Sequence, residues 1–299
     1  MNLHHVDHGG SRDGPLLVLV HGLGGSLLNW MSLVPLLTPV CRVVAVDLPG
    51  FGRSPADGDT SVAATREALH EFLARLGEPV VLVGNSMGGQ VAALEAAAEP
   101  QSVRALALID PVLPFPRGAR SHRLVQAGFA AYGLPGLGPA LLRGRRAVRT
   151  PEQLARDTLW LCCADPGRVA REVLDQHVEL LLERRDLPDA HIADRQFLAA
   201  ARSLLAAVRT PESYVRALRA IAVPVLLLHG DRDRLVPVAA ARAAAAANPR
   251  WTYAEAHGVG HVPQLEAPDW TARQLLDWLG SAVGPAGLGP RGAGSRPGG

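Results

Sequence analysis

The chain has 299 residues, of which 48% are hydrophobic. It is therefore long and apolar enough to form the core of one large α/β domain with an insertion, or of two small domains. The formal net charge is only +2 and no basic stripe with interleaved aromatic residues occurs, so nucleic-acid binding is not expected. All thirty lysine-plus-arginine positions are arginine, which excludes Schiff-base and pyridoxal-phosphate chemistry. The cysteines, Cys41, Cys162 and Cys163, predict neither a disulfide framework nor a zinc site, and we expect them to pack as small core residues.

The two ends of the chain differ from its middle. Residues 1–10 are polar and lack an apolar h-region, so no secretory signal is predicted. No apolar run reaches the length of a membrane span. We therefore expect a soluble cytoplasmic protein without a membrane span. Residues 283–299 are rich in glycine and proline, which predicts a disordered tail.

Short, near-continuous apolar runs recur along the chain and end in Gly, Asp, His or Pro. The predicted strands are residues 16–20, 42–46, 79–83, 103–109, 223–228 and 251–254. Uninterrupted apolar runs are typical of strands buried on both faces of a parallel sheet. They alternate with helical patterns such as residues 62–76, which predicts a doubly wound α/β sheet. Ligands bind such sheets at the carboxyl ends of the strands.

This alternation stops between residues 111 and 222, where only helical patterns punctuated by proline and glycine occur. The break predicts a helical cap, residues 113–221, inserted between two parts of an α/β core, residues 1–112 and 222–282.

The turn Gly84-Asn85-Ser86-Met87-Gly88 follows a predicted strand and opens a helical segment, which is the context of a nucleophile elbow. Gly84 and Gly88 would let the strand and the helix approach closely. The turn would hold the Ser86 hydroxyl at a helix N-terminus, where free N–H groups favour developing negative charge. Because G-x-S-x-G also occurs by chance, its meaning depends on the partner residues.

An activated serine needs a base, and the base needs an orienting acid. His261 follows the last predicted strand, and Asp231 and Asp233 follow the strand at 223–228. Asp231 competes with Asp233 for the role of acid, but it can instead bind the backbone of its own turn. Asp110, after the strand at 103–109, is a less favoured third candidate.

Five segments, each after the appropriate strand, resemble those of the α/β-hydrolase-fold family: residues 21–26, 47–54, 84–88, 230–237 and 260–261. The order Ser, Asp, His along the chain is also the order of this family. The resemblance implies an α/β-hydrolase fold with Ser86 as nucleophile, His261 as general base and Asp233 as orienting acid. The backbone N–H groups of Leu23 and Met87 would form the oxyanion hole.

Several further residues have expected supporting or structural roles. His21 and Gly22, together with the two elbow glycines, are expected to support the site, and His229 is expected to be structural. The N-terminal histidines His4, His5 and His8 lack a carboxylate cluster and are expected at the surface. The chemistry requires no metal and no organic cofactor.

The resemblance implies a serine hydrolase that cleaves a carboxylic ester through an acyl-enzyme. Apolar residues in 124–142 and 180–182 favour a mostly apolar substrate bound under the cap. Ser86 disfavours haloalkane dehalogenases and epoxide hydrolases, which use aspartate at the elbow, and the absence of lysine disfavours plant-type hydroxynitrile lyases. The elbow is similar to those of monoacylglycerol-lipase-like enzymes and of C–C bond hydrolases acting on ring-cleavage diketo acids. The C–C hydrolases usually carry tryptophan where this chain has Val262.

Two alternatives stay open from sequence. Cofactor-free haloperoxidases or perhydrolases use the same triad, and a non-catalytic ligand-binding protein can share the fold. The family also usually has two strands before the one that leads into residues 21–26, whereas only residues 3–6 leave room for a strand here. The sequence gives neither the natural substrate nor the oligomeric state.

Overall fold

A computed structural model describes residues 2–56, 58–134, 136–185, 190–209 and 211–282. Within these residues the chain forms one seven-stranded sheet: β1 (His5–Gly10), β2 (Leu16–Val20), β3 (Arg42–Val46), β4 (Val80–Asn85), β5 (Val103–Ile109), β6 (Val225–Gly230) and β7 (Thr252–Ala256). The strand order is β1-β3-β2-β4-β5-β6-β7. Strand β1 pairs antiparallel with β3, and every other pair is parallel. The predicted parallel α/β sheet is confirmed.

The helices before β6 are α1 (Val34–Leu37), α2 (Val62–Leu76), α3 (Met87–Ala98), α4 (Arg123–Gly133), α5 (Leu137–Val148), α6 (Pro151–Cys162), α7 (Arg171–Arg185), α8 (Ala190–Arg209) and α9 (Glu212–Ala220). Those after β6 are α10 (Val238–Ala247), α11 (Pro263–Glu266) and α12 (Pro268–Ala282). Two 3₁₀ turns occupy Leu27–Trp30 and Pro166–Arg168.

The uninterrupted apolar character of the strands follows from burial on both faces of the sheet. In β2, Leu16 and Val18 pack in a core cluster with helices α2 and α3. The intervening Leu17 and Leu19 pack in a second cluster with α1 and α12. Because successive side chains of a strand point to opposite faces, a strand covered on both sides needs an apolar residue at each position.

In the described part of the long connection between β5 and β6, the regular secondary structure is helical, and loops such as residues 111–122 join the helices. Strands β5 and β6 are direct neighbours, with Leu106 beside Val225, so this connection leaves and rejoins the sheet at adjacent strands. Helix α9 packs on α3 and helix α8 contacts α2, while α4 and α5 pack on α8. The cap and core boundaries stay a prediction, and the tail predicted at 283–299 lies outside the described residues.

The remaining sequence expectations concern the first strand, the cysteines and the membrane. In the described residues a single strand, β1, precedes β2. Cys41 and Cys163 are buried and Cys162 is half-buried, and all three are free thiols, so the packing role predicted for them is confirmed. Among the described helices, none has both the length and the apolar character needed to cross a bilayer.

Candidate active site

Ser86 lies between the last residue of β4 and the first residue of α3, with a backbone φ of 55°. A positive φ is strained for a residue other than glycine and is characteristic of functional turns. A Cβ atom at Gly84 would lie 2.5 Å from the Gly88 carbonyl oxygen, and one at Gly88 would collide with the His21 carbonyl oxygen. The flanking glycines are therefore required by the close approach of strand, turn and helix. Ser86 is 8% exposed.

The loop after β2 lies directly against the serine. A Cβ atom at Gly22 would come 2.8 Å from the Ser86 Cβ. His21 is fully buried, its Nδ1–H donates to the Gly22 carbonyl at 2.8 Å, and its Nε2 accepts from the Leu48 N–H at 2.9 Å. Burial lowers the pKa of His21, so the ring is held neutral and can accept that second bond. His21 thus fixes the loop that carries Gly22 and Leu23.

The backbone N–H groups of Leu23 and Met87 are both placed beside this turn. Within the described residues neither group donates a hydrogen bond to the protein. Both belong to the segments that meet at Ser86, since Leu23 follows Gly22 and Met87 is the first residue of α3. The N–H groups at a helix N-terminus are available for an anion, because the first turn has no internal acceptors for them.

His261 and Asp233 form a buried pair. The His261 Nδ1 lies 2.6 Å from Asp233 Oδ2, and the other carboxylate oxygen accepts from the N–H groups of Leu235 and Val236 at 2.7 and 3.1 Å. Burial acts to raise the pKa of Asp233, but His261, His229 and the backbone N–H groups outweigh it and hold this pKa below its ordinary value. The carboxylate is therefore ionised and orients the imidazole, whose Nε2 makes no hydrogen bond within the described residues.

The two competing acids are engaged elsewhere. Asp231 accepts from the Gly258 N–H at 2.8 Å and contacts His257 at 3.2 Å, so it binds the end of β7 rather than its own turn. Asp110 is fully buried with φ 43°, and its Oδ1 accepts from the Gly230 N–H at 2.9 Å. Burial, and next the charge of Asp233, raise the pKa of Asp110 well above its ordinary value, so this carboxyl is neutral when Asp233 is ionised.

Metal-ligating residue types meet at one place in the described residues. Potential ligand atoms of Asp110, Asp233 and His261 lie within 4.8 Å of one another. The Asp233–His261 contact is itself a hydrogen bond of 2.6 Å, which engages one potential ligand atom of each residue. The requirement for neither metal nor cofactor stays a prediction.

The other histidines considered from the sequence lie apart from this cluster or hydrogen-bond to the backbone. His229 is buried and its Nε2–H donates to the Val236 carbonyl at 3.0 Å, which is the structural role expected of it. His4 contacts Asp47 at 2.8 Å, His5 is exposed and His8 is half-buried. Within the described part of the chain, the three N-terminal histidines do not form a metal-ligating group.

Two residues important to this geometry were missed from sequence. The Asn85 side-chain amide donates to the carbonyl oxygens of Ile109 and His261 at 3.0 and 3.1 Å, which ties the elbow to the histidine loop. The Glu266 carboxylate is buried, and it accepts from the N–H group of Gly260 and from those of residues 164 and 165, at 2.8 to 3.0 Å. Asn85 lies within the elbow and Glu266 lies five residues after His261, but their hydrogen-bond partners are up to 176 residues away in the chain, so the sequence spacing did not indicate these roles.

The helical segment between β5 and β6 contacts these loops directly. The His261 N–H donates to the Cys162 carbonyl at 2.6 Å, and Arg234 of the acid loop donates to the Cys163 carbonyl at 2.7 Å. On the other side, the Phe197 ring of α8 lies 3.1 Å from where a Cβ of Gly24 would stand. The end of α6 and the middle of α8 therefore flank the loops that carry His261 and Leu23.

Comparison with known proteins decides the family. Residues 17–274 match the Alpha/beta hydrolase family. The chain belongs to this family. The α/β-hydrolase fold implied by the sequence resemblance is thereby confirmed, and so is the assignment to a family that contains esterases and lipases.

Three sets of similar proteins indicate how broad this family is. The chain is 34% identical, over 93% of its length and 99% of the relative, to a pimeloyl-[acyl-carrier protein] methyl ester esterase of Xanthomonas oryzae pv. oryzae. It is 31% identical over 86% of its length to the dihydrolipoyllysine-residue acetyltransferase component of the acetoin cleaving system of Cupriavidus necator. The chain spans 61% of that relative and 65% of the corresponding Pseudomonas putida protein. A crystal structure of a membrane phospholipase A, 29% identical, superposes with a TM-score of 0.70 over 94% of this chain and 86% of that one.

Proposed function

We propose that this protein is a serine hydrolase that cleaves a carboxylic ester through an acyl-enzyme on Ser86. The observation that carries the proposal is the 2.6 Å hydrogen bond between His261 and the ionised Asp233, at the strand ends next to the strained turn of Ser86. A serine hydroxyl is a weak nucleophile until an oriented base removes its proton. The free Nε2 of His261 would accept that proton, and Asp233 would stabilise the resulting imidazolium.

The oxyanion of the tetrahedral intermediate would bind to the N–H groups of Leu23 and Met87. Both groups lack protein acceptors within the described residues, and Gly22 brings the first loop against Ser86. Donors fixed in advance cost no reorganisation during the reaction, and the loss of one such donor typically costs about 3–4 kcal/mol of barrier stabilisation. His261 would then return its proton to the leaving alcohol and activate the water that releases the acid.

The helices α4–α9 would form a cap over this site. The hydrogen bond from His261 to Cys162, and the position of Phe197 beside Gly24, support this arrangement. Leu124 and Leu141 of the stretch expected to line the pocket are 58% and 44% exposed, so they do not form an enclosed apolar wall. Phe197, on the inner side of α8, is the better candidate for contact with an apolar ester.

The relatives support ester chemistry. One is a methyl ester esterase that this chain covers almost completely, and another is a phospholipase. C–C bond hydrolysis has less support, because Val262 is buried in a small cluster with Cys163 and Val173 instead of offering an aromatic ring to a substrate.

The test is hydrolysis of p-nitrophenyl esters with short and medium acyl chains, measured next to a vinylogous diketo acid. We expect ester turnover, and a loss of at least about 10³-fold for Ser86→Ala. Ser281→Ala, which removes a hydroxyl near the end of α12, is the matched control and should keep wild-type rates. Faster turnover of the diketo acid than of every ester would replace this proposal by C–C hydrolysis, and turnover of neither substrate would reject both.

A further inference from the structure

One stretch of the chain concentrates positive charge. Residues 111–151 contain seven of the thirty arginines and none of the 28 aspartates and glutamates. The remaining residues therefore carry more acidic than basic side chains, although the whole chain is nearly neutral. Such an asymmetry creates a local positive field that favours an anionic partner.

The same stretch exposes large apolar side chains. On helix α5, Leu137, Leu141 and Val148 are 42%, 44% and 78% exposed. Their spacing of four and seven residues places them on one side of the helix. Leu124 of α4 and Leu134 before α5 are also more than half exposed. Among the described residues, five of the eight most exposed large hydrophobic side chains belong to this stretch.

The opposite side of α5 is the one that packs on the protein. Gly138 is buried against Leu198 of α8, where an added Cβ would lie 3.2 Å from the leucine side chain. Arg146 forms a bidentate ion pair with Asp194 of α8. These contacts fix the rotation of α5. The stripe of Leu137, Leu141 and Val148 therefore faces away from α8 and does not pack in the hydrophobic core.

The same stretch of the chain carries several arginines for which the described residues provide no acidic partner. Arg117, Arg120, Arg123 and Arg143 are exposed, and the structure gives none of them an ion pair within the described residues. A guanidinium binds phosphate oxygens through two parallel N–H groups. On α5, Arg143 lies two residues after Leu141 and therefore on a different side of the helix from the apolar stripe. An apolar stripe combined with basic side chains on the rest of the helix is the pattern of helices that lie in a membrane interface.

We infer that the surface formed by α4, α5 and the preceding residues 117–122 docks on an anionic phospholipid bilayer. Leucine and valine side chains would enter the boundary between headgroups and acyl chains, and the free arginines would bind lipid phosphates. An acidic protein partner is less favoured, because the exposed apolar residues of this surface are aliphatic, and its described residues include no exposed aromatic anchor of the kind that dominates protein interfaces.

Helix α8 links this surface to the candidate active site. Tyr132 of α4 packs edge-on against Phe197 with 5.7 Å between ring centres, and Phe197 lies against Gly24 in the proposed oxyanion loop. A bilayer under α4 and α5 would thus lie two side chains away from the loop next to Ser86. Delivery of a lipid ester from that bilayer rests on the proposed esterase function, whereas docking itself does not.

Vesicle flotation with the full chain tests the docking surface. We expect binding to phosphatidylcholine vesicles that contain about a third phosphatidylglycerol, little binding to phosphatidylcholine alone, and weakening by salt. Leu141→Ser and Val148→Ser should each weaken binding by about tenfold, and Arg143→Gln by severalfold. Val40→Ser and Arg250→Gln, at exposed positions outside the stretch, are the matched controls and should bind like wild type.

Ser86→Ala separates this inference from the proposed chemistry, because it should float with the anionic vesicles as the wild type does. Unchanged melting temperatures would show that the surface variants fold. Binding that is absent, equal on neutral vesicles, or equally reduced in the control variants would overturn the inference. Retention on an acidic acyl carrier protein without vesicle binding would also overturn it, in favour of a protein partner.

Discussion

The strand ends of the sheet and the helical segment between β5 and β6 differ in the kind of residue that they bury and expose. At the strand ends, polar side chains such as those of Asp233 and His21 are buried and hydrogen-bonded at defined distances. In the outer helices, apolar residues such as Leu124 and Val148 are exposed. The first region constrains each atom, as catalysis requires, while the second leaves a surface for contacts outside the molecule. Changes at the strand ends should therefore be costly, and matched changes elsewhere should be mild.

The largest contrast is expected within the acid loop itself. Asp233→Asn removes the charge that orients His261, and we expect kcat/KM for a p-nitrophenyl ester to fall by about 10⁴-fold. Asp231→Asn changes a carboxylate two residues away that binds the Gly258 N–H. The kcat/KM of Asp231→Asn should therefore stay within a few fold of the wild-type value. A reversed order of these two losses would assign the acid to Asp231.

Glycine substitutions compare the two regions directly. A Cβ at Gly22 would lie 2.8 Å from the Ser86 Cβ, so Gly22→Ala should displace the loop and lower activity by about 10² or more. Gly144 in α5 has open space around it, and Gly144→Ala should raise the free energy of unfolding by roughly 0.5–1 kcal/mol because alanine favours the helix. Urea unfolding and ester turnover of both variants measure this contrast. An equal loss of activity in Gly22→Ala and Gly144→Ala would contradict it.

The junction between the regions should show an intermediate effect. Glu266 accepts three backbone N–H bonds that join the histidine loop to the residues after α6. Glu266→Gln replaces one acceptor oxygen by a donor group, and we expect a loss of about 1–3 kcal/mol in the free energy of unfolding. Glu183→Gln, which removes an exposed ion pair with Arg53, is the control and should cost less than about 1 kcal/mol. Equal costs would show that Glu266 does not join the regions.

The substitution Asp110→Asn has the smallest expected effect, which is a change in how the free energy of unfolding depends on pH. The raised pKa of Asp110 means that the native state keeps a proton which the unfolded chain releases at lower pH. This contribution to stability is therefore full in acid and is lost as pH rises from the unfolded towards the native pKa. Asp110→Asn does not titrate, so its stability relative to wild type should increase from pH 5 to pH 8 in urea unfolding. A difference that stays constant, or decreases, would contradict a neutral Asp110.

The sequence predicted β2 to β7 within about two residues. Strands β2 to β6 were recognisable because burial on both faces demands continuous apolar runs, whereas the half-exposed edge strand β1 (His5–Gly10) was expected only as room for a strand at residues 3–6. The sequence also predicted Ser86, Asp233 and His261 as site residues, since each follows a predicted strand in a motif, and the structure places His261 in hydrogen-bond contact with Asp233. Helices α5 and α10 were missed, because α5 contains glycines, a proline and three arginines, and α10 is mostly alanine. Asn85 and Glu266 could not be found, since their roles exist only once distant backbone groups have been brought together.

The most direct test of the central claim is covalent labelling with a fluorophosphonate, followed by peptide mass spectrometry. An oriented base activates one serine in the folded protein, so we predict a single adduct on Ser86. The adduct should be lost in His261→Ala and strongly slowed in Asp233→Asn, and Ser281→Ala should label as wild type does. An unlabelled wild-type protein, or an adduct on another residue, would contradict Ser86 as the nucleophile.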